Sequence, residues 1–124
     1  LIVIGPQKLP KVARMAGTRR DLLRARILHA SVLQFRGAYA AADHELSMCI
    51  GEAEGQRLAQ IAAFAYQHRG KVRFEAEDFD DARKDFKRAL FLRQEAGATE
   101  DQLESSLLAI EATDRRRMAT SLAS

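Results

Sequence analysis

Apolar residues recur along this chain at the three- and four-residue intervals that gather them on one face of an α-helix. Leu23, Ile27, Ala30 and Leu33 form such a stripe and predict a first helix over about 20–36. Gly37 in "RGAY" interrupts it, and a second helix is expected over about 39–50. Gly51 and Gly55 in "GEAEG" read as the next break. Leu58, Ile61, Ala62, Ala65, Tyr66 and Val72 carry a third helix over about 56–76. Phe79, Ala82, Phe86, Ala89, Leu90 and Leu92 carry a fourth, from after Asp78 to about Glu95, with Gly97 placed for a C-terminal cap. "TEDQ" at 99–102 matches a capping box, with Thr99 at the N-cap and Gln102 three residues on, and opens a fifth helix to about Arg117. No alternating strand pattern competes, so the expected fold class is all-α.

The pattern also repeats. Moving the chain by 40 residues lays Ala30 on Gly70, Val32 on Val72, Tyr39 on Phe79 and Ala42 on Ala82. It lays Leu46 on Phe86, Cys49 on Ala89 and Ile50 on Leu90. Small residues fall on small ones and large apolar residues on large apolar ones. Two antiparallel helical hairpins of one design are therefore expected, with the fifth helix as the first half of a third. Gly70, Ala30, Ala42, Ala82 and Ala89 would let helices approach closely, and Phe79 and Phe86 would fill the gaps between hairpins.

These residues resemble the tetratricopeptide repeat (TPR) family over about 22–118. Tyr66 and Gly70 match the aromatic and glycine of the repeat's first helix, and "DFDDARKDFKRAL" matches its second through Phe79, Ala82, Phe86 and Ala89. "RGAYAAADHELSMCI" keeps Gly37, Tyr39, Ala42 and Leu46 in the preceding unit. The 40-residue spacing exceeds the family's usual length of about 34. Arg69 stands where a leucine is expected, and the closing proline is missing. The resemblance implies a short right-handed solenoid of about two and a half repeats. It also implies a non-catalytic protein-interaction or scaffold module with a concave groove for a peptide or partner protein. Carried over by position, the groove would be lined by Arg24, Ile27, Ser31 and Gln34 from the first unit and Phe64, Gln67, Lys71 and Phe74 from the second. The family's familiar grip on a C-terminal carboxylate uses lysines and asparagines, and this chain has no asparagine. A mixed groove is expected instead, with Lys71 or Arg24 as polar contacts and Phe64 and Phe74 either as apolar anchors or as hairpin packing.

The first 17 residues, "LIVIGPQKLPKVARMAG", are similar to the hinge of TatA/TatB-type twin-arginine translocase subunits, where Gly-Pro bends the chain between a membrane helix and a surface helix. That similarity implies the soluble part of a membrane-associated component, if an apolar span precedes Leu1. The other reading is an N-terminal arm packed on the first hairpin. The chain thus divides into a basic arm or short helix over 1–19, a repeat domain over 20–118 and a tail over 119–124.

Composition agrees with this division. Hydrophobic residues make up 47% and charged ones 30%, the balance of a globular protein, and prolines occur only at Pro6 and Pro10. The net charge of +3 is uneven: residues 1–20 hold five basic side chains and no acid, so the body carries −2. A basic arm on a nearly neutral body is only weak evidence for nucleic-acid or membrane binding, so nucleic acid is not the expected partner and a nucleic-acid-binding or peptide-sensing helical repeat stays an alternative. The run "DRRRM" suits the C-terminal end of a helix dipole. A single cysteine, Cys49, excludes an internal disulfide, and no apolar run reaches the roughly 18 residues of a membrane span, so a cytoplasmic location or the cytoplasmic face of a membrane is expected. An open apolar end face would favour self-association.

Candidate chemistry is sparse. Glu75, Glu77, Asp78, Asp80 and Asp81 offer oxygen ligands, but no glycine stands where a calcium loop needs one and the spacing is that of a helix start. Asp78 is expected to cap, with Asp80–Lys84 and Asp85–Arg88 as pairs on a solvated face. His29, His44 and His68 have no spacing of three or four, and Cys49 lies five residues past His44, so no zinc set forms. Ser105 and Ser106 fall inside a helix, and no glycine-rich phosphate loop occurs. The expectation is no enzyme activity, no cofactor and no metal.

Overall fold

The computed structural model describes residues 11–123, and the hinge-like residues 1–10 lie outside it. Five helices follow one another: α1 (Lys11–Phe35), α2 (Tyr39–Gly55), α3 (Ala59–Glu75), α4 (Phe79–Glu95) and α5 (Glu100–Ala123). No strand occurs among the described residues. Each helix packs against its neighbour along the chain, and α1 also packs against α3. None of the described helices is long and apolar enough to cross a membrane.

The four connections are copies of one turn. Residues 37, 57, 77 and 97 adopt left-handed backbone, with φ of 77°, 58°, 64° and 66°. In the first, the N–H of Gly37 donates to Gln34 and that of Ala38 to Leu33, both at 2.9 Å. The same two bonds recur at Arg57 and Leu58, at Glu77 and Asp78, and at Gly97 and Ala98. This is the Schellman arrangement, which satisfies the last carbonyls of one helix while starting the next. Glycine occupies two of the four left-handed positions. Arg57 and Glu77 occupy the others against a preference of about 1 kcal/mol each.

Gly51 and Gly55 do not break the chain as the sequence pattern suggested. Both are helical in α2, and a Cβ built on either would meet nothing. Ala53, between them, is fully buried and accepts the Leu58 N–H at 2.8 Å. Keeping that last turn packed outweighs a glycine penalty of about 1 kcal/mol. At the ends, α1 starts at Lys11 and α5 reaches Ala123, both beyond the expected limits.

The core runs through α1, α2 and α3: Leu23, Ile27 and Ala30 meet Ala42, Leu46, Cys49, Ile50 and Ala53, then Ile61, Ala62, Ala65 and Val72. Phe79, Ala82, Phe86 and Ala89 of α4 are buried next to it. Gly70 allows a close approach, because a Cβ there would lie 2.6 Å from Cε1 of Phe86. The side chain that occupies this space is an aromatic ring, itself 2% exposed. Tyr39 and Tyr66 are half-buried at the core's edge. Helix α5 contributes little apolar burial: its buried residues are Ser106 and Thr113, while Leu107, Leu108, Met118 and Leu122 are exposed.

Candidate functional site

Helix α3 has two faces of different character, about half a turn apart. Arg69 and Arg73, one turn apart, point at α2 and α4. Arg69 donates from Nε and Nη2 to Asp85 at 2.9 and 2.8 Å, and from Nη1 to Ser47 at 3.0 Å. Arg73 donates to the same carboxylate at 3.2 Å and to Asp43 at 2.7 Å. Ser47 donates to Asp43 at 3.2 Å, which closes a ring of five side chains. Burial would raise the Asp43 carboxyl, but the Arg73 and Ser47 hydrogen bonds and the Arg69 charge hold it below the usual carboxylate range.

This ring corrects the expectation that Asp85 pairs with Arg88 on a solvated face. Asp85 is 3% exposed, and Arg88 instead reaches Glu54 at 3.8 Å. Asp80 pairs with Arg117 of α5 at 2.7 Å, and Lys84 with Asp81 at 3.7 Å. Asp78 does cap α4, accepting the Asp81 N–H at 3.4 Å, and Thr99 caps α5 by accepting that of Gln102 at 3.3 Å. Arg69, placed where the resemblance calls for leucine, is thus matched by an acid on the facing helix.

The other face of α3 carries Phe64, His68 and Lys71. Of the residues expected to line a groove, Ile27 is fully buried and Gln67 is 3% exposed, so neither reaches a partner. Their stripe faces between helices, where Gln67 Oε1 accepts from Ser106 Oγ of α5 at 2.8 Å. The remaining six separate into three places. Ser31 approaches His68 Nδ1 at 3.4 Å, and Gln34 donates to Glu75 at 2.9 Å, at the α1 end of the surface. Lys71 and Phe74 border a small hollow against Ala109 and Ala112. Phe74 stacks edge-on against Phe79 at 5.5 Å beneath Arg116, so it is hairpin packing. Arg24 and Phe64 come together, with the guanidinium 4.8 Å from the ring centroid.

Arg24 and Phe64 belong to a cleft of about 300 Å³. Arg20 lies beside Arg24 on α1, Gln60 precedes Phe64 on α3, and Arg93 of α4 and Gln102 of α5 complete the polar wall. Arg93 is half-buried, and its Nη1 donates to the Gln102 carbonyl and to Ser106 Oγ, each at 2.9 Å. Burial lowers its pKa from the ordinary value. Arg20, Arg24 and Arg93 form no ion pair among the described residues. Burial, with the charges of Lys71, Arg93 and Arg24, lowers the His68 imidazole to about 4 and leaves it neutral at pH 7.

Arg93 was not expected here, yet the 40-residue register marks it. It falls on Ala53, a fully buried alanine, so an arginine replaces a small core residue in the second unit. Elsewhere, burial pushes the Cys49 thiol up, which disfavours thiolate chemistry. No group of three or more His, Cys, Asp or Glu suited to a metal occurs among the described residues. Comparison with protein families, curated proteins and solved structures returns no match.

Proposed function

We propose that this chain is a non-catalytic protein-interaction module built of TPR-like helical hairpins, which holds a peptide segment of a partner protein in the cleft between α1, α3 and the α4–α5 corner. The observation that carries the reading is the meeting of Arg24, Phe64 and Arg93 in one recess: an aromatic platform flanked by unpaired guanidinium groups. Such a recess combines apolar area with a few fixed polar groups, the usual make-up of a binding site. Support for the hairpin design comes from the recurrence of one turn at residues 37, 57, 77 and 97 and from the packing of α1 on α3. A cytoplasmic location accompanies this reading.

The test is affinity capture from the source cell with the wild-type chain, with Arg24→Ala/Phe64→Ala and with Lys71→Ala/Phe74→Ala. The captured protein should be lost with the first double variant and retained by a variant changed only at exposed Lys87. Recovery unchanged by Arg24→Ala/Phe64→Ala, in a chain whose helical circular dichroism is intact, overturns the site.

A further inference from the structure

From the charge balance of the cleft we infer that its ligand is acidic: a carboxylate side chain of the partner segment sits against Arg93 and Arg24, and an adjoining apolar side chain lies on Phe64. This inference rests on the interaction-module reading and specifies the chemistry of the partner.

Elsewhere between the helices, arginine is met by acid. Arg26 pairs with Glu45 and Glu52, Arg69 with Asp85, Arg73 with Asp43, Arg83 with Asp114 and Arg116 with Glu77. The cleft departs from that rule. Asp21, the acid on its wall, is exposed and pairs with none of Arg20, Arg24 or Arg93. Both hydrogen bonds of Arg93 go to neutral oxygens and leave from the same nitrogen. The chain of donors continues from Arg93 to Ser106 and from Ser106 to Gln67, whose Nε2 is buried with no acceptor. The region holds more donors than acceptors, and a partly desolvated guanidinium without a counter-charge is what a carboxylate satisfies, with bidentate geometry open to it.

The shape favours a protein carboxylate over a nucleic-acid phosphate. Nucleic acid is held by basic side chains spread along a backbone track. Here the cations converge on a recess with Ile61, Ala63 and Leu92 in its wall, and several of the other basic side chains are neutralised in ion pairs. An alternating acidic and apolar segment matches both components.

The experiment is a fluorescence-anisotropy titration with three labelled probes: a short peptide alternating glutamate and leucine, its glutamine–leucine counterpart, and oligothymidylate. The glutamate peptide should bind, weaken as salt rises, and bind about tenfold more weakly to Arg93→Gln. Arg24→Gln should weaken it severalfold, and Lys87→Gln, on an exposed and unpaired residue of α4, should leave it unchanged. Because Arg93 also bonds α5, Arg24→Gln, on an exposed side chain, keeps the test decisive if Arg93→Gln folds poorly. No binding of the glutamate peptide, or binding indifferent to both arginine variants, overturns the inference. Arg93-dependent binding of oligothymidylate tighter than that of the peptide overturns it in favour of phosphate. Equal binding of the glutamine peptide, lost in Phe64→Ala, overturns the acidic preference while the interaction-module reading stands.

Discussion

On one face of α3, Arg69 and Arg73 are closed into a ring with Asp43, Ser47 and Asp85; on the other, Phe64 stands with Arg24 and Arg93, which pair with no acid. The two regions use the same residue type for different ends. In the ring, each guanidinium is answered by a carboxylate on a neighbouring helix, so the charges fix the register of α2, α3 and α4. In the cleft, the charges are held in place by neutral groups and an aromatic ring, which leaves their attraction available to something outside the chain. Position alone would not separate the two, since all these residues sit on helices at ordinary spacing. The difference lies in what the adjacent helix brings to meet them.

The two regions should answer differently to substitution and to pH. The largest effect is expected at the ring. Asp85→Ala leaves two partly buried guanidinium groups without their shared carboxylate and should lower unfolding free energy by about 3–4 kcal/mol in urea denaturation. A loss below about 1 kcal/mol would show that the ring is no more than a surface pair. The face of α3 opposite the ring should respond to pH instead. His68 titrates near 4 when folded and near 6.5 when unfolded, so between those values the unfolded chain binds more protons and stability falls as pH falls. Lowering pH from 7 to 4.5 should cost about 2 kcal/mol after allowance for solvent around a partly buried ring. His68→Gln should flatten that slope, and an unaltered slope would remove the charge crowding inferred for this face.

A smaller effect is expected at Gly70, which seats α3 against α4 between the two faces. Gly70→Ala presses a methyl group into the Phe86 ring, and overpacking should outweigh the helix-propensity gain to leave a net loss of about 1–2 kcal/mol. Thermal unfolding checks this, and a stabilised variant would mean that the ring has room to move. The smallest change belongs to Arg24→Gln, expected to shift stability by no more than about 0.5 kcal/mol, because the exposed Arg24 has no ion-pair partner and its contact with the Phe64 ring is worth little in solvent. Placed beside Asp85→Ala, it separates arginine that stabilises the fold from arginine that is free to bind.

Much of the helix pattern was legible in the letters. The helical period placed α4 from Phe79 to Glu95 and the cap at Thr99, because an amphipathic stripe, a capping side chain and a C-terminal glycine each act within a few residues. The 40-residue register also places small residues where helices press together, as the Phe86 ring over Gly70 illustrates. The turns at Arg57 and Glu77 were less visible, since neither residue favours left-handed backbone, and the glycines at 51 and 55 pointed to the wrong place. Of the residues expected in a groove, Ile27 and Gln67 are buried and Phe74 is packing, while Arg24 and Phe64 meet. Arg93 escaped notice because it lies on a second helix, although its alignment with Ala53 was a usable signal.

The linear order of residues therefore settles local properties: which residues are helical, which stripe of each helix is apolar, and where small side chains recur. Those properties follow from backbone propensity and from a period of 3.6 residues. Which charges meet depends on how the helices pack. Asp85 lies 16 residues from Arg69, and Asp43 lies 30 residues from Arg73, so their ring exists only once three helices are packed. The same packing brings Arg24, Phe64 and Arg93 to one recess and pairs neither arginine with an acid. Electrostatic energy depends on distance through space, and sequence spacing does not measure that distance between residues on different helices.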